Sequence, residues 1–162
     1  MMALDTIDAE YRAAIFPACP FGPLPAEGED DQWEQIYFLF GQAMLWAQSY
    51  EDGMAKLVIA AEARWQRSGI PAEEINQKAL GQLQKEYARY CHLEPHHHER
   101  MAEVRKTRNR IAHSFYRRRM AQLQTAEGRT QVIRELHGAI HQFQIERDEM
   151  YWLLSALTGQ PR

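Results

Sequence analysis

The sequence predicts an all-α protein, an antiparallel four-helix bundle preceded by a short N-terminal helix and a proline-rich loop. Three observations lead there. Apolar residues recur at steps of three and four almost throughout the 162 residues, which is the spacing of one helix face. No run of alternating β-branched residues is bracketed by turn pairs, as strands require. The breaks in the pattern are short and rich in Pro, Gly, Ser or Thr, and short connections between long helices favour antiparallel neighbours.

The elements follow in chain order. Residues 5 to 14 suit a short first helix, and Pro17, Pro20, Pro23 and Pro25 with Gly22 and Gly28 then force an extended loop, because proline fixes φ and donates no hydrogen bond. From Trp33 the positions Tyr37, Phe40, Met44, Ala47, Tyr50, Met54, Val58, Ala61 and Trp65 keep one register without a break. They predict a single helix of about 34 residues, roughly 50 Å long. Ser68-Gly69-Ile70-Pro71 ends it, and a proline in a first turn opens the next helix. That second helix is expected from Ala72 to Tyr90, with Ile75, Leu80, Leu83 and Tyr87 inward. Pro95 separates it from a third, expected from His97 to Leu123, and residues 125–128 make the last break. The final helix, Thr130 to Leu157, buries Val132, Leu136, Ile140, Phe143, Met150, Leu154 and Leu157. The domain reading is an N-terminal extension over 1–32, a helical bundle over 33–157 and a tail over 158–162.

Composition narrows the class. Apolar residues make up 45% and charged residues 25%, ordinary for a soluble globular chain. Cys19 and Cys91 provide no disulfide framework or C-x-x-C pair, which fits a reduced cytoplasmic setting. Residues 1–10 lack the basic start and apolar run of a signal peptide. The most apolar stretch, Ile36 to Ala47, is too short to span a bilayer, so no membrane partner is expected. The net charge of −3 hides an asymmetry: acids gather at Glu27, Glu29, Asp30, Asp31 and Glu34, while seven Lys or Arg residues and no acid lie between Arg105 and Arg119. Such a run is either a solvated helix face or a local site for a polyanion.

The third helix holds an anomaly. Met101, Val104, Ile111 and Phe115 mark its apolar stripe, and the rhythm needs a core residue at position 108, where the sequence has arginine. A guanidinium buried without a partner costs several kcal/mol, so Arg108 must pair, reach a cleft or meet another subunit. Asn109 and His113, four apart, share the adjacent flank. Arg108 and His113 are about 140° apart on an ideal helix, so either Arg108 curls round to His113 or the pair meets its counterpart across a symmetric dimer. A second copy is the expected partner. The residue types suit metal-free RNA cleavage. Histidine exchanges a proton near neutral pH, an arginine fork stabilises charge developing on a phosphate, and asparagine can hold the imidazole or a phosphate oxygen. Arg105, Lys106, Arg110 and Arg117 are the candidate RNA-backbone contacts, and Tyr116 can stack on a base.

Arg108-Asn109-Arg110-Ile111-Ala112-His113 resembles the motif of the HEPN superfamily: an arginine, a polar residue, and a histidine after four to six intervening positions. Phe40-Gly41-Gln42-Ala43 leading to Gln48-Ser49-Tyr50-Glu51 is similar to that family's long first bundle helix. Lys78-Ala79-Leu80-Gly81-Gln82-Leu83 is similar to the segment entering its second. The resemblance covers residues 33 to 157. It implies a metal-independent endoribonuclease without cofactor, of toxin or phage-defence type, with Arg108, Asn109 and His113 in a composite site across a homodimer. Cleavage by the RNA 2′-hydroxyl would leave a cyclic phosphate. Partners implied are RNA and an antitoxin or other defence-system protein, often a small nucleotidyltransferase. One subgroup carries a modifiable tyrosine two residues after the histidine; this chain has Phe115 there, so that regulation does not carry over. Other members are non-catalytic interaction modules or adaptors, the competing expectation here.

Seven histidines raise a metal hypothesis, with His92 and His96 to His98 near Cys91 and with His137 and His141 four apart. Zinc or iron needs three or four converging ligands, and Pro95 interrupts the only Glu-x-x-His, so no metal is expected. No phosphate-binding glycine loop or nucleophile elbow is present.

Overall fold

The computed structural model describes residues 30–66 and 68–159, all of whose regular structure is helical. The expected helix at 5–14 and the proline-rich loop lie outside the described residues. Five helices are present among the described residues: α1 (Asp30–Trp65), α2 (Ala72–Asn76), α3 (Leu80–Tyr90), α4 (Pro95–Leu123) and α5 (Ala126–Thr158). None is long and apolar enough to cross a membrane.

α1 is one unbroken helix of 36 residues, as its continuous register predicts. Its buried ridge in the first half is Ile36, Leu39 and Ala43, while Tyr37 stays exposed and Phe40 and Met44 are half-buried. The aromatic positions therefore flank the core and do not centre it. From Ala47 onward the expected stripe is the buried one, through Tyr50, Met54, Val58 and Ala61.

The expected second helix is two helices. Ile75 and Leu80 are five positions apart, about 140° round a continuous helix, and could not both face one core. A break at 77–79 lets both be buried. Ala79 takes an extended conformation before α3 and has no side chain to cap Leu80; the Leu80 N–H instead donates to Glu51 Oε1 of α1 at 2.9 Å.

The last break is also shorter than the sequence suggests. α5 starts at Ala126, with the Thr125 hydroxyl accepting the Gly128 N–H at 3.0 Å as an N-cap. Gly128 lies inside the first turn because a Cβ there would sit 1.9 Å from the Gln122 carbonyl oxygen. At the far end Leu154 and Leu157 are half-buried, and Gly159, at φ 68°, closes α5 by donating its N–H to the Ser155 carbonyl.

Helix directions correct the expected alternation. α1 and α5 share the most extensive interface and run the same way. Gln32 meets Thr130 and Arg129 at one end, Arg147 lies 4.4 Å over the Trp46 ring in the middle, and Arg64 donates to the Leu157 carbonyl at the other. α3 also runs with α1, from Glu51 at Leu80 to Glu62 at Tyr90. Of the four longer helices only α4 runs against them, with Phe40 on Phe115, Gln84 on the Met101 carbonyl, and Arg119 on Glu135. The physical reason is the connection over 68–79. It doubles back along α1 before α3 begins, so the chain re-enters in its original direction.

Glu62 anchors that return. Its carboxylate accepts the Tyr90 hydroxyl at 2.5 Å, the Ser68 hydroxyl at 2.9 Å, and the Ser68 and Gly69 N–H groups. Chiefly through the Tyr90 bond, and then those from Ser68 and Gly69, its pKa is held down to about 2.

Gly128→Ala should destabilise the fold by about 1–3 kcal/mol, since the clash is with backbone; urea unfolding would show it, and an unchanged midpoint would refute the close approach. A carboxylate with a depressed pKa stabilises above its ordinary pKa near 4.5 and loses that contribution as pH falls through about 2. The stability gap between wild type and Glu62→Gln should therefore be full at pH 7 and shrink between pH 4.5 and 2; a pH-independent gap in thermal unfolding would contradict it.

Candidate active site

The buried face of α4 is set by Val104, Thr107, Ile111, Ser114 and Phe115. Thr107 and Ser114, two small polar residues, occupy positions that a hydrophobic pattern passes over. Ser114 closes its own hydrogen bond on the Arg110 carbonyl at 3.3 Å. The centre of the buried face therefore sits one step from where the apolar residues alone place it. Arg108 lies on its border toward α1, with 27% of its side chain exposed.

Arg108 does find a partner, within its own chain. Its Nη2 donates to Glu51 Oε2 at 3.0 Å, while Nη1 lies 3.4 Å from Asn109 Oδ1 and 3.3 Å from His113 Nε2. The side chain curls round to His113, one of the two geometries the spacing left open, and the fold needs no second copy to neutralise it. A guanidinium has only donors, so His113 Nε2 must be the acceptor. The two longer contacts are loose beside the Glu51 pair, so the guanidinium can exchange them for a phosphate oxygen and stay anchored.

Glu51 is the residue sequence reasoning missed. It is 22% exposed, and its two oxygens serve two elements, Arg108 of α4 and the first N–H of α3. The available signal was the need for an acid opposite Arg108, but nothing local in the chain says which of 22 acids supplies it.

The other named residues divide. Asn109 and His113 are exposed beside Arg108, and a shallow open depression of about 600 Å³ runs along this face, bordered by Lys106, Arg110, His113, Arg117 and Arg118. Lys106 also pairs with Glu103 at 3.3 Å. Arg110, Arg117 and Arg118 have no acidic partner among the described residues, whereas Arg119 is bound by Glu135 at 2.6 Å. Arg105 turns the other way and lies over Gly81 of α3, its Cδ 3.2 Å from where a Cβ would stand. Tyr116 is half-buried in an aromatic cluster, 5.1 Å from Phe40 and 6.3 Å from Tyr37 between ring centres. Sequence spacing places Arg105 and Tyr116 on the RNA face; packing engages both elsewhere. Among the described residues no three His, Cys, Asp or Glu side chains converge as metal ligands. His97 lies 3.9 Å from Glu149, against the Arg100 pairs with Glu146 and Glu149.

The chain matches no family model, no curated protein and no solved structure.

Removing the Glu51 carboxylate should unseat both elements. Glu51→Ala is expected to cost about 1–3 kcal/mol, the range for a hydrogen bond to a charged group. Glu51→Gln keeps an acceptor for Leu80 and should cost less. A double-mutant cycle with Arg108→Ala measured by denaturant unfolding should give a coupling of about 0.5–1 kcal/mol, near the surface value because both groups are partly exposed. Strict additivity would show that the pair is not formed.

Proposed function

We propose that this chain is a metal-independent endoribonuclease of HEPN type, whose reaction centres on Arg108 and His113 with Asn109 in support. The observation that carries the reading is the meeting of Arg108 and His113 at 3.3 Å on an exposed, basic face. Two residues that helical geometry separates by about 140° are brought together by a guanidinium anchored on Glu51. Further support is spatial. The three segments that resemble the family, around Glu51, Leu80 and Arg108, converge on the single Glu51 carboxylate.

The chemistry assigns each group a task. Neutral His113 accepts the proton of an RNA 2′-hydroxyl through Nε2. The freed oxygen attacks the adjacent phosphorus, and the bond to the 5′-oxygen of the next nucleotide breaks, leaving a 2′,3′-cyclic phosphate. Arg108 exchanges its loose contacts for the phosphate oxygens, where negative charge develops. Asn109 holds the imidazole or a phosphate oxygen. Lys106, Arg110 and Arg117 track the backbone, with Arg118 beside them.

The departing 5′-oxygen needs a proton, and one histidine cannot donate while it accepts. A second copy's histidine supplies the missing acid, which is the argument for a homodimer with a composite site now that Arg108 is paired within its chain. On this reading residues 33–157 form a HEPN-like bundle acting in the cytoplasm. Its biological setting is toxin or phage defence, where an antitoxin or other defence-system protein restrains it.

RNA cleavage should persist in EDTA, yield cyclic-phosphate ends, and fall at least about 100-fold in His113→Ala and in Arg108→Ala. Cleavage retained in both variants would overturn the proposal. A complete absence of cleavage in wild type, with a stable protein complex formed through the Arg108 face, would favour the adaptor reading.

A further inference from the structure

A second depression is lined in part by Glu51, the carboxylate that pairs with Arg108. It lies between α1 and the connection from α2 to α3, and its volume is about 440 Å³, within the roughly 300–1,000 Å³ range of small-ligand sites. One wall is a single ridge of α1: Gln48, Asp52 and Lys56 follow at four-residue spacing and stand one above another. The opposite wall is Asn76, the last residue of α2, with Lys78 in the turn beyond it. The floor is apolar, from Ala55 and Leu83, both part of the buried core.

The fold does not consume the polar groups on these walls. Asp52 and Lys56 have ion-pair spacing, yet among the described residues they make no ion pair, and the Gln48 and Asn76 amides make no side-chain hydrogen bond. Lys78 differs, its charge balanced by Glu74 and Glu86 at 3.6 Å each. Ala55 and Leu83 are only 6% and 1% exposed, so the polar walls are the surface a ligand would meet, and they suit the hydrogen-bonding edge of a heterocyclic base. Asp52 only accepts hydrogen bonds, Lys56 only donates, and the two amides do either. Guanine matches this set: its N1–H and 2-amino group are adjacent donors for one carboxylate, and O6 and N7 accept from an amide or lysine. Adenine and cytosine offer one exocyclic amine and uracil one N–H, so each would leave part of Asp52 unpaired.

We propose that the cleft lined by Gln48, Asp52, Lys56 and Asn76 binds a guanine base of the RNA next to the cleaved phosphate, with Asp52 setting the preference. The proposal rests on reading Arg108 and His113 as the cleaving pair, and the link between the two is Glu51, which lines the cleft and holds Arg108 at 3.0 Å.

The test uses the full chain and short oligonucleotides with 2′-deoxyribose throughout the probed steps, uncleavable for want of the attacking hydroxyl and differing at one central base. Fluorescence anisotropy should show the guanine version bound about tenfold more tightly than the other three, the scale of one bidentate base contact. Asp52→Asn and Asn76→Ala should each remove most of that preference. His113→Ala should retain it, and Lys56→Ala should weaken all four versions together. Equal affinity for the four bases overturns the proposal, as does a preference that survives in both Asp52→Asn and Asn76→Ala. A guanine preference that behaves as stated, in a protein that leaves ordinary RNA intact, would uphold the cleft and overturn the nuclease reading instead.

Discussion

The arrangement depends on one carboxylate serving two helices. Glu51 stands midway along α1, and its oxygens hold the Arg108 guanidinium of α4 and the first amide of α3. Each demand would be costly to leave unmet: a half-buried cation without a counter-charge, and a helix start whose preceding alanine has no side-chain oxygen to offer. Because one group answers both, the position of α3 along α1 and the direction of the Arg108 side chain are linked. The placement of His113 inherits that link, since the guanidinium that reaches it is the one Glu51 holds.

The parallel course of α1 and α5 gives this junction its setting. Two long helices in one direction form the scaffold, with Gly53 on α1 leaving room for Met150 of α5. α4 lies against them in the opposite sense, so its polar flank faces outward beside the middle of α1. The same doubling back of the connection that makes α3 parallel to α1 brings Asn76 and Lys78 alongside Gln48 and Asp52. A simple up-and-down bundle, with the second helix continuing directly from Ala72, would not create that cleft.

Electrostatics on α4 are more selective than a count of its basic residues implies. Arg108 and Arg119 are engaged by Glu51 and Glu135, Lys106 keeps only a solvent-exposed pair with Glu103 that a phosphate can displace, and Arg105 lies over α3. Arg110, Arg117 and Arg118 remain beside His113 as the charge available to a polyanion. The His113 imidazole stands at their edge, 3.3 Å from the donor-only guanidinium of Arg108.

The sequence by itself determined the helical class, the unbroken length of α1, the core ridges from Ala47 onward and along α5, and the identity of Arg108, Asn109 and His113 as residues needing explanation. These follow from local periodicity, which the chain carries in every window. It misjudged the centre of the α4 face, because Thr107 and Ser114 are buried without being hydrophobic. It also ran α2 and α3 together, because a break that turns Ile75 and Leu80 to one core leaves no proline or glycine mark. Only the tertiary structure decided the helix directions, the Glu51 partner and the inward turn of Arg105 and Tyr116. Those features depend on pairs such as Glu51 and Arg108, 57 positions apart. A helical repeat specifies which face of a segment is apolar, but not which distant side chain will lie against its edge.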